Sequence, residues 1–153
     1  MTYATSDTTK QAIDKFNSYD TDTKLALLWF GYLDIKDNLN PGPPYESDNL
    51  ATAVYHRIKS LPQQEQLQAQ RDILEKSKES EFSREYAAFD PSARIELWLL
   101  LGKGMEQGEV IQVPSDYKLP SQTEEFTNLI KQVDFEERIN FMRSIVRDMG
   151  ASA

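Results

Sequence analysis

The sequence has no cysteine. Disulfides, thiolate metal sites, iron–sulfur clusters and cysteine nucleophiles are therefore excluded together. Histidine occurs once, at His56. That leaves a Ser-His-Asp triad formally open but removes histidine-rich zinc sites. Basic residues are in deficit, with 17 Lys and Arg against 25 Asp and Glu, a net charge of −8. This balance argues against a general binder of nucleic acid or anionic membrane. No apolar run reaches the ~18 residues of a membrane span, and the polar, threonine-rich start from Met1 to Lys10 is no secretory signal. Phosphate-cradling glycine loops, metal-ligand spacings and nucleophile elbows are also missing, so an enzyme is the class least supported. What is left is one domain over 153 residues, long enough to bury roughly 68–70% of its unfolded surface without staples. A cytoplasmic location is the simplest expectation.

What is present is helical periodicity. Residues 7–18 carry Ile13 and Phe16 at helical spacing behind a Ser6/Asp7 cap signal. Asp20-Thr21-Asp22 opens a helix over 23–36, and Asn40-Pro41-Gly42-Pro43-Pro44 is the plainest breaker in the chain. Helical patterns resume over 47–60 and 62–78, then over a short 81–89. Asp90-Pro91-Ser92 caps a further helix that Gly108 stops after Gln107, and 121–131 and 134–149 close the set. Between them, 108–120 is the one long connection; Val110, Ile111 and Val113 could pass for a strand, but no partner strand is in sight. The expectation is an all-α fold of about eight helices.

Two of these helices carry dense apolar stripes. The first presents Leu25, Leu28, Trp29 and Tyr32, the second Ile95, Trp98, Leu99, Gly102 and Met105. A glycine inside a helix costs about 1 kcal/mol against alanine, so Gly102 implies something close to the backbone, either a neighbouring helix or a ligand. On periodicity alone, ordinary core packing with Gly102 admitting a neighbouring helix is the favoured reading. His56 reads as a surface or partly buried side chain. Glu124-Glu125 and Glu136-Glu137 suit helix starts, where the macrodipole favours them.

The string Leu25-Ala26-Leu27-Leu28-Trp29-Phe30-Gly31-Tyr32-Leu33 resembles the aromatic helix of the N-terminal domain of the orange carotenoid protein. The run Gly102-Lys103-Gly104-Met105-Glu106-Gln107-Gly108, with Val113-Pro114 and Tyr117 after it, resembles that domain's second signature. Arg143-Ser144-Ile145-Val146-Arg147-Asp148-Met149-Gly150 resembles its last helix. The likeness covers nearly the whole chain, weakest across 38–85, and a protein without the family's C-terminal domain is the expectation. The form it resembles is a stand-alone helical carotenoid protein.

The resemblance implies two discontinuous four-helix bundles around a ligand tunnel, holding a keto-carotenoid of the canthaxanthin, echinenone or 3'-hydroxyechinenone type. By that match Leu25, Leu28, Trp29, Tyr32, Ile95, Trp98, Leu99, Gly102, Met105, Val113, Tyr117, Ile139, Val146 and Met149 would line the tunnel. Trp29, Tyr32 and Trp98 are the firmest of these, because flat aromatic faces stack on a conjugated chain. Leu99 stands where the family has a tyrosine, which removes one aromatic contact. Arg143 matches a family arginine that docks partners, whereas Lys15 replaces another, and lysine does not reproduce its bidentate geometry.

The implied function is non-catalytic photoprotection, by quenching singlet oxygen or draining excitation energy from a phycobilisome, with phycobilisomes at the thylakoid surface as the place of action. Two alternatives stand beside it: a pigment-free helical interaction module, and a carrier delivering carotenoid to a separate partner resembling the family's C-terminal domain. The expected state is a monomer or a weak dimer covering the tunnel's apolar end.

Overall fold

The computed structural model describes residues 7–35, 50–113, 121 and 123–150. Among these there are eight helices and no strand, as expected. They are α1 (Asp7–Ser18), α2 (Thr21–Ile35), α3 (Leu50–Lys59), α4 (Gln63–Leu74), α5 (Glu81–Ala87), α6 (Pro91–Glu106), α7 (Thr123–Gln132) and α8 (Phe135–Arg147). The Ser6 cap signal, the 40–44 breaker, the first residues of the expected third helix and the whole 114–120 stretch lie outside the described residues.

Short polar side chains start the helices where the sequence places them. Asp20 Oδ1 accepts from Thr23 N at 2.8 Å ahead of α2. Asp90 Oδ1 accepts from Ala93 N at 2.8 Å at α6, and Asp134 Oδ1 from Glu137 N at 2.9 Å at α8. Each satisfies one of the orphan N–H groups of a first turn, worth about 1 kcal/mol. The expected 62–78 helix is shorter. It ends at Leu74 because Lys76 adopts a left-handed φ of 58°, and Ser77 N turns back to Asp72 O at 3.0 Å. This is a left-handed helix stop built without glycine.

Two groups of helices result. α1 packs against α7 and α8, and its Phe16 meets Phe126 and Phe141 with ring centroids 6.3 and 6.0 Å away. In the other group α3 packs on α6 and α4 on α5, around Ile58, Ile73, Tyr86, Leu97 and Leu101, all at 0% exposure. Burying such side chains contributes about 1.5–3 kcal/mol each. α2 touches both groups, meeting α4 and α6 on one side and α1 and α8 on the other. It is pinned at both ends by ion pairs, Asp22 to Arg71 at 2.7 Å and Asp34 to Arg138 at 3.0 Å. Among the described residues no helix is long and apolar enough to cross a membrane.

Candidate functional site

Of the sequence-predicted residues, Trp29, Tyr32 and Gly102 meet directly, and Trp98 is linked to Val146 through Tyr86. On α2, Leu25 and Leu28 are 0% and 2% exposed, Tyr32 is buried and Trp29 half-buried. Trp29 and Tyr32 stack, with centroids 5.8 Å apart and planes 20° from parallel. On α6, Trp98 and Gly102 are buried, while Ile95, Leu99 and Met105 are half-buried against the core. From α8 and its end come Val146 and Met149, both buried, and Ile139, half-buried. Val113 is half-buried at the end of the described connection, and Tyr117 lies outside the described residues.

Gly102 shows why its helix tolerates a glycine. A Cβ there would sit 2.5 Å from Cγ of Tyr32. The space is taken by the Tyr32 ring, so the two helices approach closely at this point, and the aromatic ring fills the cradle. The Tyr32 hydroxyl faces Glu106 Oε1 at 3.4 Å.

Trp98 sits in a different setting. Its Nε1 donates to the Tyr86 hydroxyl at 3.2 Å, and that hydroxyl donates in turn to the Val146 carbonyl. Burial pushes the Tyr86 phenol well above the usual tyrosine range, which keeps it protonated as a donor. Arg94 adds to this connection by donating to the carbonyls of Arg147, Ala87 and Phe89. Gly150 N also reaches Ile73 O at 2.9 Å. These bonds tie α4, α5 and α6 to the end of α8.

The connection after α6 is held by side chains. Gly108 ends the helix with a φ of 77°, as its position predicts. Gln66 Oε1 accepts from Ile111 N at 2.9 Å, and Gln70 Nε2 donates to Ile111 O at 2.9 Å. Two buried amides on α4 therefore take the place of the partner strand that the sequence lacks. Near the same connection Tyr55 donates to Glu109 at 3.0 Å. Burial and that bond raise the Tyr55 pKa, and the bond from Tyr55 holds the Glu109 carboxyl below its usual range.

Sequence reasoning missed Gln66, Gln70 and Tyr86. The first two had one legible signal: they are glutamines at i, i+4 on the same stripe as Ile73, where apolar residues belong. Of the two expected docking cations, Arg143 is exposed, while Lys15 is engaged in an ion pair with Glu125 at 2.6 Å.

Chemically, these side chains offer stacking and apolar burial. Among the described residues there is no group of three or more His, Asp or Glu side chains able to hold a metal.

A family model described as the N-terminal part of the orange carotenoid protein matches residues 2–152. An orange carotenoid-binding domain-containing protein of Nostoc sp. is 30% identical over 147 residues, 95% of this chain and 85% of that one. An orange carotenoid-binding protein of Synechocystis sp. is 29% identical over 96% of this chain, which spans 46% of that relative's length. Among solved structures, the red carotenoid protein of Anabaena (Nostoc) sp. binding canthaxanthin superposes with a TM-score of 0.79 at 31% identity, over 95% of this chain and 99% of that one. The orange carotenoid protein of the same organism, also binding canthaxanthin, gives 0.85 at 28% identity, over 95% and 46% of the two chains. On the sequence motifs, the helix order and these matches together, the chain belongs to the family of the orange carotenoid protein N-terminal domain.

Proposed function

We propose that this chain binds a keto-carotenoid along the junction between its two helix groups and serves in photoprotection without catalysis. The observation that carries the reading is the aromatic arrangement at α2 and α6, where Trp29 stacks on Tyr32 and Tyr32 lies against Gly102. The canthaxanthin held by the two relatives supports the ligand class. A bound polyene supplies low-lying excited states that accept excitation energy and release it as heat. The protein's residues do the rest: Trp29, Tyr32 and Trp98 would grip the conjugated system, and Leu25, Leu28, Ile95, Leu99, Met105, Val113, Tyr117, Ile139, Val146 and Met149 would exclude water from it.

Leu25, Leu28, Trp98 and Val146 are all at most 2% exposed, so a ligand reaching them has to part α2 from α6 and α8. This sealing is also the observation that favours a second reading, a helical interaction module in which the stripe is plain core. Between the two quenching roles, singlet oxygen needs no docking partner. Phycobilisome quenching needs one, and Arg143 is exposed for it whereas Lys15 is already paired.

The deciding experiment is a visible absorption spectrum of the protein purified from a host making keto-carotenoids. A stoichiometric band that is shifted from the free pigment and follows the protein through gel filtration is expected. A colourless, folded protein that also refuses reconstitution would overturn the reading in favour of the interaction module.

A further inference from the structure

A cavity of about 280 Å³ lies where the two helix groups meet at the start of α2. Phe16, Ile145 and Met149 enter it from one group, and Leu74 and Lys76 from the end of α4 in the other. Lys24 of α2 completes the wall, with Asp148 beside it. Phe16, Leu74, Ile145 and Met149 make its apolar part and Asn17 and Asp148 add polar groups, and two ammonium groups reach the same space. Among the described residues neither Lys24 nor Lys76 has a carboxylate within ion-pair distance. Lys24 is instead held over the Phe16 ring, 5.9 Å from its centroid. Burial and the neighbouring charge of Lys76 both push its pKa down, against a smaller opposing pull from Glu75. At Lys24 the repulsion from Lys76 outweighs the pull of Glu75, so an acceptor placed beside its ammonium is favoured.

The cavity is also in line with the proposed binding seam. Lys24, Leu28 and Tyr32 follow at i, i+4 and i+8 on one face of α2. At 1.5 Å per residue the two ends of that row are about 12 Å apart. One end is the aromatic stack, the other the lysine pair, and Met149 belongs to both the expected tunnel wall and the cavity.

We infer that Lys24 and Lys76 form the polar terminus of the seam and donate hydrogen bonds to an oxygen acceptor, a ring carbonyl, at one end of the carotenoid. The inference rests on the pigment reading above. A lysine ammonium is a donor only, so it discriminates by the presence of an acceptor. A hydrocarbon ring would leave the half-buried Lys24 ammonium without an acceptor, whereas a keto ring would supply one that the exposed Lys76 can share.

The test is reconstitution of the parent protein and of the Lys24→Met/Lys76→Met double variant with canthaxanthin and with β-carotene, which share a skeleton and differ in the ring carbonyls. Thermal melting of each unliganded protein is recorded alongside, and Lys24→Met alone serves if the double variant does not fold. The parent should prefer canthaxanthin by at least about tenfold. The variant should lose most of that preference and move the canthaxanthin band, while melting as the parent does. A variant with unchanged preference and an unchanged band overturns the inference and leaves the pigment reading standing, as does a parent that takes both pigments equally. A parent that takes neither overturns both.

Discussion

The two tryptophans of this protein occupy opposite kinds of junction. Trp98 is 2% exposed and hydrogen-bonded through Tyr86 to the backbone of α8, beside the Arg94 contacts and the Gly150–Ile73 bond. That end of the seam is stitched. Trp29 is half-buried and stacked on Tyr32, whose ring leans on a glycine. That end is held by packing. Stacked rings can be prised apart and re-formed on another flat surface at modest cost, whereas a buried hydrogen-bond relay leaves unpaired polar groups when opened. Residues that look equivalent in the sequence are therefore unequal in role: Trp98 belongs to the architecture as well as to the proposed binding surface, and Trp29 is the better probe of binding alone.

Replacing Trp98 by alanine should break the stitched end. A cost of about 3–5 kcal/mol is expected for so large a buried ring, read as a fall in melting temperature of roughly 2–4 °C per kcal/mol. A fall no larger than that of the Trp29 variant would erase the contrast. Gly102→Ala tests the stacked end from the other side. Alanine is the better helix former by about 1 kcal/mol, but the Cβ would meet the Tyr32 ring at 2.5 Å. Overpacking of this kind costs about 1–3 kcal/mol, so net destabilisation is expected, and a stabilised variant would mean the helices are not in close approach. Trp29→Ala should cost only on the order of 1 kcal/mol, while pigment retention falls far more. Equal loss of stability and pigment would return Trp29 to plain core.

The smallest effect concerns the cap that starts α2. The side-chain and backbone bonds from Thr23 hold the Asp20 carboxyl below its ordinary value of 3.8. A depressed folded pKa contributes stability that is present above the unfolded value and lost as pH falls through the folded one. Asp20→Asn keeps a good cap, so it should match the parent at neutral pH and flatten the loss of stability below about pH 4. Melting curves from pH 6 down to 2 would show it, and parallel curves for the two proteins would contradict it.

Most of the fold was legible because local physics wrote it. Helical periodicity and the caps at Asp20 and Asp90 located their helices. The stripe of Leu25, Leu28 and Tyr32 marked a buried face of α2. The rest depends on partners far away in the chain. Nothing adjacent to Tyr86 announces a bond to a carbonyl 60 residues later. Ending α4 at a left-handed lysine breaks the glycine rule that worked at Gly108. Lys24 and Lys76 stand far apart in the chain, and only the fold brings them to one cavity.

Gln66 and Gln70 grip the peptide unit of Ile111 through its own N–H and carbonyl, and ignore its side chain. Most residues could therefore stand at position 111 without disturbing the grip, and proline, lacking the N–H, could not. The route of the chain out of α6 is thus written in another helix. Sequence drift along the connection is free to retune whatever its side chains face, while the path itself is inherited through two glutamines some 40 residues upstream.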